Sequence, residues 1–143
     1  MHHDEMIGKV QALARLPDRG SAERAAQAVV TTLSERLPSG LARHVAAQLP
    51  PDMAAAMRQV ADVSGAYDSG TSRERFGLTA FAGRIADRAG TDEDMALREA
   101  AAVMEVLDAA LAPELTERMA TALPADIREL LPVIRASDYT GAG

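Results

Sequence analysis

The sequence predicts an all-α protein, two pseudo-symmetric four-helix repeats packed into one helical bundle domain. Three observations lead there. Apolar residues recur at intervals of three and four along most of the chain, and no segment alternates with period two. The apolar content, 48% of 143 residues, includes only two Phe, two Tyr and no Trp. A core of Ala, Leu, Val and Met lets helices approach closely but fills a sheet sandwich poorly. Finally, the chain repeats itself. Shifted by 74 positions, residues 17–57 align without a gap: Asp18 meets Asp92, Val29 meets Val103, Leu33 meets Leu107, Leu37 meets Leu111 and Leu49-Pro50 meets Leu123-Pro124.

Each half reads as long, long, short and short helices. The first carries Met6, Val10 and Leu13, and its counterpart carries Leu78, Phe81 and Ile85. Upstream of Pro17 the best shift becomes 75, pairing Ile7 with Ala82 and Val10 with Ile85, so the first loop differs by one residue. The second helix shows a stripe of Ala22, Ala25, Ala26, Val29, Leu33 and Leu37, matched by Ala96, Ala100, Val103, Leu107 and Leu111. Ser21 and Thr91 stand where an N-cap is expected, with oxygens able to accept the first free amides. The third helices bear Leu41 and Val45, or Leu115 and Met119. "LPPD" and "LPAD" then restart the chain, with proline tolerated in a first turn and Asp favoured by the helix dipole. The last stripes are Met53, Met57 and Val60, or Ile127, Leu131 and Ile134. The resulting division is a helical repeat at 1–63, a Gly- and Ser-rich linker at 64–77, a second repeat at 78–136 and a disordered tail at 137–143. Sixty residues make a marginal domain alone, so the halves are expected to pack face to face.

Charge and composition remove several function classes. The formal net charge is −6, and the arginines lie scattered among acids, which disfavours nucleic acid as a ligand. With no cysteine there is no disulfide, thiolate metal site or cysteine nucleophile. No run of eighteen apolar residues predicts a membrane span, and the N-terminal "MHHDEMIGKV" is acidic where a signal peptide would be basic. The expected location is the cytoplasm.

The segment "AAQAVVTTLSERLPSGLARHVAAQLPPDM", Ala25 to Met53, resembles the bacterial family known as domain of unknown function 2267, and "AAAVMEVLDAALAPELTERMATALPADI", Ala100 to Ile127, is similar in weaker form. The resemblance covers nearly the whole chain. Leu41 stands where the family usually has an acid, and Pro113-Glu114 replaces the glycine turn in the second copy. The resemblance implies a small all-helical bacterial protein and brings no activity, cofactor or catalytic residue.

No motif carries chemistry by itself. A free amine with His3 at position three has the spacing of a square-planar Cu²⁺ or Ni²⁺ site, with His2 between, but any frayed terminus of this composition shares it. His44 lies at the edge of a short apolar stripe and aligns with Arg118, which marks a solvent-facing polar position in both halves. Asp92, Glu93 and Asp94 suit a helix start and lack EF-hand spacing. Glu114 and Glu117 stand one turn apart on a solvated face. "SGTSRERFG", from Ser69 to Gly77, lacks the phosphate-loop pattern and reads as linker, with a regulatory or partner-binding role as the alternative. Met6, Met53, Met57, Met104 and Met119 fall on apolar stripes and are assigned to the core in preference to an adaptable groove.

The expected function is therefore a non-enzymatic helical regulatory or protein-interaction module with no catalytic, cofactor or metal residues. Its partner would be an unknown protein or a second copy in a homodimer, with neither nucleic acid nor membrane. The alternative is a carrier of a small apolar ligand in a cavity between the repeats.

Overall fold

The protein is described by a computed structural model over residues 2–67 and 77–131. Among the described residues the chain forms eight α-helices and no strand: α1 (His3–Ala14), α2 (Arg19–Arg36), α3 (Ser39–Ala46), α4 (Pro51–Tyr67), α5 (Leu78–Ala89), α6 (Glu93–Ala110), α7 (Pro113–Ala122) and α8 (Ala125–Arg128). The all-α reading is correct.

The helix starts correct one expectation. Ser21 and Thr91 are not the N-caps. Asp18 caps α2 by accepting the Ser21 N–H at 2.7 Å, and Asp92 caps α6 by accepting the Met95 N–H at 2.7 Å. A carboxylate accepts the orphan amide more strongly than a hydroxyl and is favoured by the dipole. The backbone and side-chain hydrogen bonds of Ser21 hold the Asp18 carboxyl below its usual range. Between the paired helices, α1 ends on Arg15 with φ 57° and α5 on Gly90 with φ 70°, both in the left-handed region. Two residues, Leu16 and Pro17, separate Arg15 from the cap Asp18, and one, Thr91, separates Gly90 from Asp92, which places the one-residue difference in this loop.

Both long helices then stop in the same way. Leu37 (φ −93°, ψ 150°) and Leu111 (φ −97°, ψ 154°) are extended, as are Pro38 and Ala112 after them. Proline 38 forces this on its predecessor; in the second half Pro113 does the same to Ala112 and opens α7. The helix α4 runs on to Tyr67 and so takes in the first four residues of the linker expected at 64–77, while residues 68–76 and 132–143, with Ile134 and the expected tail, lie outside the described residues.

Packing follows the stripes except at Leu13, which is 46% exposed. The helix α2 lies at the centre, against α1, α4, α5 and α6; α1 also packs on α6, α5 on α6, and α3 on α4 and α7. One continuous core runs through all of this, with Ile7, Val10, Leu33, Ile85, Phe81 and Leu107 wholly buried. Leu33 and Leu107, aligned by the 74-residue shift, thus both face inward. The five methionines expected in the core are all at most 1% exposed. Polar ties close the edges, as where Arg43 of α3 reaches Asp62 of α4 at 2.8 Å.

Candidate functional site

The extended breaks after α2 and α6 turn α3 and α7 toward one another at one end of the bundle. Gln48, just beyond α3, accepts the Ala112 N–H at 2.8 Å and so ties the two ends together. Ala112 aligns with Pro38, which has no N–H to satisfy. Next along, the Arg118 guanidinium lies 3.3 Å from Nδ1 of His44. Arginine can only donate, so Nδ1 accepts and the ring hydrogen sits on Nε2. These two residues, equated by the sequence shift and expected to face solvent, are both exposed and meet in space.

Between the two helices runs an open groove of about 670 Å³. Pro38, Gly40 and Leu41 form one side, and Glu117, Arg118 and Ala122 the other, with Glu114 at the rim. Leu41 is 8% exposed and gives an apolar floor, whereas Glu114 and Glu117 are exposed and form no ion pair among the described residues. A Cβ added at Gly40 would meet nothing within 4 Å. Leu41, a departure from the family pattern, lines this groove, as does Glu114 of the Pro113-Glu114 turn. Chemically it offers contact: an open hydrophobic area with a charged rim.

A second polar constellation lies in the α2–α5 seam. Glu35 of α2 accepts from Arg88 of α5 with both oxygens, at 2.8 and 2.7 Å, and Arg84 adds a third contact at 3.3 Å. Thr32 donates to the Ala28 carbonyl at 2.7 Å and accepts from Arg88 at 2.7 Å. Burial pushes the Glu35 carboxyl up, but the hydrogen bonds and charges of Arg88 and Arg84 outweigh it and hold the group below its usual value. Glu99 of α6 is the reverse case. It is 4% exposed, its Oε1 has no hydrogen-bond partner, and burial raises its pKa, with Arg24 opposing and Asp92 reinforcing the shift.

The remaining candidates stand apart from the groove. His3 reaches Glu23 at 3.8 Å, and the amine of Met1 that a copper site would need lies outside the described residues, as do Ser69 to Phe76 of the hydroxyl-rich linker. Among the described residues no three His, Cys, Asp or Glu side chains are grouped to hold a metal ion. Asp92, Glu93 and Asp94 sit at the start of α6, one as cap and two in the first turn. Sequence reasoning missed Glu35 and Glu99. For Glu99 a signal existed: it aligns with Ala25, a member of the buried stripe, so an acid was falling on an apolar face.

A family model described as an uncharacterized conserved protein (DUF2267) matches residues 3–130. The chain belongs to the DUF2267 family. The match spans every helix described, so the groove, the Glu35 clamp and Glu99 all lie within the DUF2267 region. No curated protein matches the chain. No helix among the described residues is long and apolar enough to cross a membrane.

Proposed function

We propose that this DUF2267 protein is a non-enzymatic, cytoplasmic interaction module whose two halves are related repeats, and that it docks a partner protein in the α3–α7 groove. One observation carries the reading: the groove is open, has an apolar floor in Leu41, and is rimmed by side chains with unused hydrogen-bonding and charge capacity. Grooves between helices of this kind accept the apolar face of a third helix. The carrier alternative has less support, because it needs space among Met and Leu side chains that are instead buried together in the core, such as Met104, Met119, Leu33 and Leu107.

The test uses the open position above Gly40. Gly40→Trp plugs the groove and should leave the fold intact, since nothing lies where the new side chain begins. A displayed library of random peptides selected on the unsubstituted protein should yield binders that lose affinity for Gly40→Trp by about tenfold or more. Binders that recognise both proteins equally would remove the groove as the docking surface.

A further inference from the structure

The groove also indicates which kind of segment fits it, an inference that rests on the docking role proposed above. The helix α3 has 8 residues and α7 has 10, so the groove spans about 12–15 Å, room for two to three turns of a partner helix. Its floor at Leu41 and its wall at Ala122 call for one or two apolar side chains facing down. The rim is what discriminates. Glu114 and Glu117 stand one turn apart on α7, exposed and without an ion pair among the described residues. Side chains three positions apart on a helix lie about 5–6 Å from each other, the spacing at which two cations on a facing helix would also lie. On the same wall Arg118 is turned onto His44, which is neutral when it accepts that bond. The rim's formal balance is therefore two carboxylates against one guanidinium.

We infer that the partner segment is a short basic amphipathic helix, with apolar residues on one face and Lys or Arg flanking them one turn apart. The acidity of the whole chain, net −6, acts in the same direction by drawing cationic segments toward it. A second copy of the chain is a poor occupant for the same reason, since it brings the same net charge and the same carboxylates. The apolar contact would supply most of the affinity; the two exposed carboxylates would set the choice between partners and the dependence on salt.

Two peptide libraries make the test. Both carry the same two-to-three-turn amphipathic frame with random apolar residues on one face; one has Lys or Arg at the flanking positions, the other Asp or Glu. Each is selected on the full chain, with Gly40→Trp as the counter-target. The expected result is groove-dependent binders from the basic library alone, weakened about three- to thirtyfold by the double substitution Glu114→Gln/Glu117→Gln and weakened further as salt rises. Both carboxylates are exposed, so this variant should keep its helical circular dichroism. Groove-dependent binders from the acidic library, or basic binders indifferent to the double substitution, would overturn the basic partner while leaving the groove as a docking surface. If neither library gives binders sensitive to Gly40→Trp, the docking role falls and this inference with it.

Discussion

The seam between α2 and α5 and the seam between α1 and α6 join helices that the sequence shifts of 74 and 75 equate, yet they are closed by different means. In the first, Glu35 is gripped by Arg88 and Arg84, and Thr32 shares the grip. In the second, the positions equated with Arg88, Thr32 and Glu35 by the shifts of 75 and 74 are Leu13, Val106 and Ala109. Leu13 is left 46% exposed. Beneath both, the packing is alike: Ile85 in α5 and Ile7 and Val10 in α1 are wholly buried. The apolar stripe is thus the common requirement, and the ionic lock an addition made on one side. Glu99 shows what an acid on a buried face costs when no such lock surrounds it.

The largest effects should come from what the seams share. Ile85→Ala and Ile7→Ala should each lower stability by about 2–5 kcal/mol in chemical denaturation, because both leave a cavity in a filled core. A much larger loss on the α5 side would break the equivalence. Next comes the lock itself. Arg88→Ala removes a bidentate pair from Glu35 and a donor from Thr32, and should cost about 1–2 kcal/mol given the partial exposure of both charges, with the loss shrinking in high salt. Leu13→Ala, at the matching place, should change stability by less than about 0.5 kcal/mol.

Glu99→Gln should stabilise the protein at neutral pH by an amount of order 1 kcal/mol, since it removes a charge from a buried site with an unsatisfied oxygen. The pH dependence has opposite signs for the two acids. Folded Glu99 holds its proton to higher pH than an unfolded glutamate, so its site is unpenalised below the ordinary carboxylate range. Stability then falls as pH rises through the raised value. Glu35 binds its proton less readily when folded, so its contribution is present above the ordinary range and is lost as pH falls through the lowered value. Thermal melts across pH should show the first slope vanish in Glu99→Gln and the second in Glu35→Gln. The smallest effect is a construction: Leu13→Arg with Ala109→Glu would install an exposed pair on the α1–α6 side and should gain no more than about 1 kcal/mol.

How much of this could be read from the residues alone depends on what each residue does. Stripes such as Ala22, Val29 and Leu33 gave the helices and the core, because burial of a helix face leaves a periodic mark. The caps were misread by a few positions at Ser21 and Thr91, because several polar residues near a helix start can accept an amide and only geometry selects Asp18 and Asp92. The groove left a fainter trace. His44 and Arg118 were legible as solvent-facing, but their meeting across the two halves depends on how α3 and α7 are brought together. Glu35 and its arginines lie about fifty residues apart in the chain, and no local pattern links them.

Because the two walls of the α3–α7 groove come from chain segments more than seventy residues apart, any helix seated there would act as a clasp on the fold. Whatever it gains by binding is added to the free energy needed to unravel the bundle, by mass action. The melting midpoint would then rise with partner concentration, and heat resistance itself would become an assay for occupancy.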